Sequence, residues 1–255
     1  NKEITWETNG NFNAGIEFEL FSQRLTGNVE YFVRKTTDML FTFPLAPSFG
    51  YSYYYANVGD MRNMGVEMEL TGTPIKTNDL EWNLRLNLTH YKNKITYLPE
   101  KRKTLDLGGH GGYSSGSYFY GEGLPLYTYR LQKYAGVNEN GEALYYVDVK
   151  DQNGKVTGRT TTTNYSSATY YDCGTALPDV YGGFGTTLTY KGFDLTVDFN
   201  YQIGGQVYDG DYASMMGSPS SSSKGSAFHA DLLNAWTPEH HTNIPRLQFG
   251  DNYTA

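Results

Sequence analysis

Six segments of this chain alternate apolar and polar residues with a strict period of two, and that pattern limits what it can fold into. In "ANVGDMRNMGVEMELTG" (residues 56–72), Val66, Met68 and Leu70 alternate with Glu67, Glu69 and Thr71. Successive strand side chains point to opposite faces, so one face here is oily and the other acidic. "NFNAGIEFEL" sets Phe12, Ala14, Ile16, Phe18 and Leu20 against Asn11, Asn13, Gly15, Glu17 and Glu19. "LTGNVEYFV" puts Leu25, Gly27, Val29, Tyr31 and Val33 on its apolar side. "WNLRLNLTHY" sets Trp82, Leu84, Leu86 and Leu88 against Asn83, Arg85, Asn87 and Thr89. "GTTLTYKGFDLTVDFNYQ" reads as a hairpin around Lys191-Gly192, with Leu188 and Tyr190 leading in and Phe193, Leu195, Val197, Phe199 and Tyr201 leading out. The pattern predicts antiparallel neighbours over residues 12–20, 25–33, 64–72, 82–90, 184–190 and 193–201.

The connections carry a second signal. Links after the first, third and fifth segments are short. Those after the second, fourth and sixth are long: residues 34–63, 92–181 and 203–255. In an up-and-down sheet alternate connections lie at the same end, so one end has tight turns and the other has large loops. Outer-membrane barrels have this asymmetry, and their tilted spanning strands need about nine to eleven residues. Glu17, Glu19, Glu67, Glu69, Arg85, Asp194 and Asp198 are too many charges for a packed core and suit a water-filled lumen. The apolar face then meets lipid, with Trp82 and Tyr190 near the short turns as an aromatic girdle. The alternative is a soluble or surface β-sandwich that binds ligands or mediates adhesion. It predicts the same alternation, but needs a second apolar layer that no amphipathic helix pattern supplies.

Composition narrows the function classes. The 255 residues carry a net charge of −7, which excludes a nucleic-acid partner. With 24 Tyr and 29 Gly and only 18% charged residues, the chain reads as all-β with long polar loops. The single cysteine, Cys173, forms no intrachain disulfide. No run of about 18 apolar residues exists to make a spanning helix. The abrupt first residue, Asn1, and the break at Ala255 in mid-pattern lead to the expectation that residues 1–255 are one piece of a larger barrel domain.

The motifs resemble those of SusC/RagA-type TonB-dependent outer-membrane transporters of Bacteroidetes. In "RKTTDMLFTFPLAPSFGYSYYYANVGDMRNMGVEMELTGTPI" (34–75), Lys35, Thr36 and Asp38 precede a loop with Pro44 and Pro47. Asn57, Gly59, Asn63, Gly65 and Glu67 then open the next strand, with Met64 where a lysine is common. "WNLRLNLTHYKNKITYL", "ALPDVYGGFGTTLTYKGFDLTVDFNYQIGGQVYD" and "LLNAWTPEHHTNIPRL" are similar to further family elements. The resemblance implies part of an antiparallel 22-stranded transmembrane β-barrel with long extracellular loops in the outer membrane. It implies TonB-dependent import of an oligosaccharide or peptide, with a SusD-like surface lipoprotein as lid. The plug, the TonB box and the final strands are expected outside these residues.

No catalytic constellation, cofactor motif or metal-ligand spacing emerges, so a non-enzymatic role is expected. Glu239, His240 and His241 are adjacent, so their side chains diverge and no third ligand matches them. "NENG" (138–141) and "DQNG" (151–154) lack full calcium-loop spacing and read as hairpin turns. Two Tyr-rich stretches are the candidate ligand contacts: Tyr51, Tyr53, Tyr54 and Tyr55, and Tyr113, Tyr118 and Tyr120. Tyrosine offers a flat apolar face and a hydroxyl to sugars and peptides. The same rings also serve to fill loop–loop contacts, and the sequence leaves both uses open.

Overall fold

A computed structural model describes residues 4–44, 48, 50, 52–219 and 225–251. Its strands, in chain order, begin with β1 (Thr8–Leu20) and β2 (Leu25–Thr37). A hairpin of β3 (Leu40–Pro44) and β4 (Tyr53–Asn57) follows, then the long β5 (Asp60–Lys76) and β6 (Leu80–Tyr97). Short strands come next: β7 (Leu105–Leu107), β8 (His110–Ser115), β9 (Tyr118–Gly121), β10 (Thr128–Gln132), β11 (Tyr134–Val137), β12 (Ala143–Lys150), β13 (Val156–Thr162) and β14 (Tyr170–Thr175). β15 (Val180–Tyr190) and β16 (Phe193–Ile203) return to long strands. The chain divides into two units, residues 1–129 with 174–206 and residues 130–173 with 207–255.

In the first unit, β1, β2, β5, β6, β15 and β16 form one antiparallel sheet in that order. All six expected segments lie in it as neighbours. The strands outrun the predicted spans: β5 begins at Asp60 rather than Met64 and β6 reaches Tyr97 rather than His90. The reason is that the ladder continues through polar and glycine positions, such as Asn63 opposite Asn93, where alternation of hydrophobicity has already stopped. Within the 92–181 and 34–63 connections the chain folds into hairpins, including the expected one around Asn138–Gly141.

The faces of this wall differ as the period of two requires. Apolar residues on one face are exposed: Ile16 is 71% accessible, Leu195 60% and Phe193 80%. Register aligns them in rows, as in Leu70–Leu86–Phe184–Phe199, where the two phenylalanine rings stack at 4.9 Å. At the short-turn end, Trp82 donates its indole N–H to Thr186 Oγ1 at 2.7 Å, so the girdle residue keeps no bare donor on the oily side. The turn at Lys191-Gly192 has positive φ at both residues, the geometry that two-residue hairpins favour.

The opposite face is polar and wet. Arg85 on β6 donates to Asp198 on β16 at 2.8 Å and to Thr187 on β15 at 3.1 Å. This ion pair skips a strand. It can do so because Gly185 lies in register between the two, and a Cβ there would strike Asp198. Glu30 stands directly opposite Glu67, an arrangement that costs stability unless water screens it. Both side chains line an open groove of about 590 Å³, together with Glu17 and Glu69.

Packed cores occur in the connecting segments instead. Leu107, Phe119 and Leu124 form one, within the first unit. In the second unit, Ala143, Tyr145 and Ala168 form another, with Tyr165 against it. β11, β12 and β13 make a three-stranded sheet there. Its turns are built by side chains: Asn138 Oδ1 accepts from the amides of Asn140 and Glu142, and Asp151 Oδ1 from those of Asn153 and Lys155. Trp236 lies against Gly141, whose missing side chain leaves room for the indole, and Arg246 ties Asp251 and Glu142 beside it.

The two faces give opposite expectations for the same substitution. Leu86→Arg should impair insertion into lipid vesicles, because a cation near the midplane costs about 2–4 kcal/mol. Thr196→Arg, on the polar face, should insert like the unmodified protein. Folding yield by gel-shift reports both, and equal yields for the two variants would refute the assignment of faces.

Candidate functional site

The connections that follow β2 and β6 are fastened to the wall by the residues of the asparagine–glycine motif. Asn57 donates to the carbonyls of Thr5 and Asp38 and accepts from the Thr5 amide, closing the base of the β3–β4 hairpin. Gly59 has φ +135°, and a Cβ there would collide with the Tyr97 carbonyl. Asn93 donates to Asn63 Oδ1 at 2.6 Å while its own Oδ1 accepts from the Leu126 amide at 2.7 Å. Leu98 and Ile95 are almost fully buried at this seam. The Glu122 carboxylate accepts from the Leu98 amide at 3.0 Å and pairs with Lys103 at 3.0 Å. These two contacts, the amide first, hold its pKa below the ordinary 4.5.

On this footing β8, β9 and β10 carry a platform of tyrosines. Register sets Tyr113 opposite Tyr120 and Tyr118 opposite Tyr129. Alternation then sends these four rings to one face and Phe119 to the other, where it is fully buried. Gly112 and Gly121 make room for Phe119: a Cβ at Gly121 would lie 2.5 Å from its ring. Tyr113 and Tyr120 stack at 5.3 Å, and Tyr118 tilts against Tyr129 at 4.9 Å. Tyr127 adds a fifth ring, 5.4 Å from Tyr118 and 6.3 Å from Tyr120. Its backbone is held at φ +56°, with its carbonyl accepting from the Ala176 amide at 3.0 Å. A non-glycine residue pays strain for that conformation, and here the strain coincides with the most exposed ring of the platform, 42% accessible.

The chemistry on offer is aromatic surface with neutral hydroxyls. Burial raises the pKa of Tyr113 and Tyr120, and the hydrogen bond with Tyr129 followed by burial raises that of Tyr118. All three therefore stay protonated through neutral pH and can donate or accept a hydrogen bond. Of the expected contacts, Tyr113, Tyr118 and Tyr120 come together in this platform. Tyr53 and Tyr55 form a separate edge-to-face pair at 5.7 Å on β4, with Tyr54 on the other face of that strand. Tyr51 lies outside the described residues. Tyr127 and Tyr129 did not stand out in the sequence, because only cross-strand register brings "YTY" (127–129) beside "YFY" (118–120).

The described residues contain no group of three or more His, Cys, Asp and Glu able to hold a metal. His241 stacks on Trp236 at 5.3 Å, and the His240 amide closes a turn on Thr237.

Residues 1–250 match the family described as "TonB dependent receptor-like, beta-barrel". TonB-dependent receptor P3 of Formosa agariphila is 29% identical, over 96% of this chain and 25% of its own length. TonB-dependent receptor SusC of Bacteroides thetaiotaomicron is 28% identical, over 82% of this chain and 20% of its own length. Among solved structures, the RagAB peptide transporter superposes with a TM-score of 0.79 at 28% identity, covering 97% of this chain and 26% of that one. The chain thus spans about a quarter of the length of the relatives it matches.

Two perturbations separate the platform from the wall. Phe119→Ala should cost about 3–5 kcal/mol, opening residues 98–129 to limited proteolysis while the six-stranded sheet stays protected. Acid should loosen the same segment. Glu122 has a lowered folded pKa, so its contribution is present above about pH 4.5 and is lost as pH falls through that lowered value. The protection of the Leu98 amide against hydrogen exchange, relative to an unfolded chain at the same pH, should fall as pH drops below the ordinary carboxylate range, and Glu122→Gln should lower it at neutral pH and remove the acid step.

Proposed function

Because this chain belongs to the TonB-dependent receptor-like β-barrel family, we propose that it is part of the wall and outer loops of a TonB-dependent outer-membrane importer of oligosaccharides or peptides. The observation that carries this reading is the six-stranded ladder with one exposed oily face and one charged, wet face. Such a wall is stable with lipid outside and water inside, and it suits a barrel too wide to fill its lumen with side chains. The outer edges of β1 and β16 are open to further strands of the same barrel. Residues 1–255 act as one part of that barrel domain, with the plug and the TonB-contacting segment elsewhere in the protein.

In this arrangement the short turns face the periplasm and the long connections face the medium. Tyr113, Tyr118, Tyr120 and Tyr127 contact the cargo on its way into the lumen. Tyr53 and Tyr55 supply a second contact area, with Tyr51 and Tyr54 as further contacts from the same connection. A SusD-like surface lipoprotein closes over these loops, and TonB drives import through the plug. The similarity to the RagAB peptide transporter supports a peptide cargo, while the lipoprotein partner and the oligosaccharide class rest on the motif resemblance. The chain itself performs no covalent chemistry.

Cells carrying Tyr118→Ala, Tyr120→Ala and Tyr127→Ala together should retain the protein in the outer-membrane fraction and lose most uptake of a fluorescent oligosaccharide or peptide pool. Recovery of the unmodified protein from the soluble fraction would overturn the barrel reading. Normal uptake by the triple variant would remove the platform from the cargo path.

A further inference from the structure

The second unit carries a surface of different chemistry. Asp148 on β12 faces Arg159 on β13 in register, and Arg159 Nε donates to Asp148 Oδ1 at 3.2 Å. The guanidinium also lies 5.2 Å from the ring of Tyr146 and 5.0 Å from that of Tyr171. Tyr171 donates its hydroxyl to the same Asp148 oxygen at 2.6 Å. Lys133 stands over Tyr171 as well, with Nζ 5.3 Å from the ring centre. The aromatic faces here are thus occupied by cations.

That occupancy changes what the surface can bind. A ring with a cation on it is a poor floor for a sugar or a peptide side chain. Its role is to fix the cation, lowering the entropy lost when an anion arrives. Asp148, with its side chain 12% exposed, is engaged by Arg159 and Tyr171. Lys133 is exposed, and no ion pair engages it among the described residues. Arg159 keeps outward N–H groups, since its side chain is 51% exposed. Two held cations around one ring therefore outnumber the one carboxylate among them, in a chain whose net charge is −7.

From this geometry we infer that the Lys133–Tyr171–Arg159 surface binds an anionic oligosaccharide, one carrying carboxylates along its length. Neighbouring cations on a single rigid support match a ligand whose charges recur at every sugar or every second sugar. A peptide of varied sequence offers no such recurrence. The inference rests on the import reading for the ligand's entry into the cell, and binding to the purified protein tests it apart from uptake.

Titration calorimetry on the whole protein in detergent, with an oligogalacturonate as probe, decides the matter. Binding should be present at low salt, fall steeply by about 0.5 M salt, and be absent for a neutral galactose oligomer. Lys133→Gln should weaken it about two- to fivefold, the range of an exposed ion pair, with an unchanged melting temperature. Tyr171→Leu should weaken it further by releasing both cations. No binding, salt-independent binding, or full affinity in Lys133→Gln would overturn the inference, and equal affinity for an oligoglutamate would overturn the assignment to a sugar. Loss of calorimetric binding with intact uptake of labelled cargo would remove this surface alone and leave the importer reading standing.

Discussion

A strand against lipid has no water to satisfy its backbone, so each N–H and C=O must find its partner across the ladder. Every other feature of this wall follows from that requirement. The ladder forces a period of two, and the period sorts Leu70, Leu86, Phe184 and Phe199 to one side and Glu69, Asn87, Gly183 and Asn200 to the other. It also fixes register over long spans, because a one-residue slip would carry Arg85 and Asp198 into the oily side. Glycine relieves crowding where the polar side needs it. Gly185 lets an ion pair reach across its strand, and Gly183 donates its amide to Asn87 Oδ1 while Asn200 crowds it from the other strand. The polar face is thus tied together by side chains spanning three strands at positions where the middle strand has none.

The footing of the loops obeys the same logic at the rim. Where alternation of hydrophobicity stops, amide side chains take over the task of pairing. Asn63, Asn93 and the Leu126 amide form a relay that begins in the wall and ends in the outer hairpins. Asn57 closes a second such joint. The motif residues that mark the family in sequence therefore serve as joinery in this structure, and the ring surface that meets solvent is carried by other residues.

The six strands and their faces were readable from sequence because each states its environment at every second residue. The turn ends were readable because Lys191-Gly192 and the Asn-Gly pairs impose their own geometry. The strand lengths were not, since polar rows such as Asn63 and Asn93 pair like wall and read like loop. The tyrosine platform was readable in part. Tyr113, Tyr118 and Tyr120 were visible as a dense stretch, yet Tyr127 and Tyr129 join them through a register between hairpins that no local pattern encodes. The cation-bearing rings of Tyr146 and Tyr171 were hidden for the same reason, since their partners Lys133, between β10 and β11, and Arg159, on β13, are distant in sequence.

Among the described residues the packed apolar clusters lie in the connecting segments and not in the six-stranded wall: Leu107, Phe119 and Leu124 in one unit, Ala143, Tyr145 and Ala168 in the other. This division bears on how such a protein can diversify. A substitution in the wall answers to lipid, to water and to register at once, so most changes are refused. A substitution on the outer surface answers only to a small local core beneath it. Each core can therefore act as an anvil on which new surface chemistry is tried while the membrane-spanning scaffold stays as it is. The neutral tyrosines over Phe119 and the held cations of the second unit each have a separate local core to vary on.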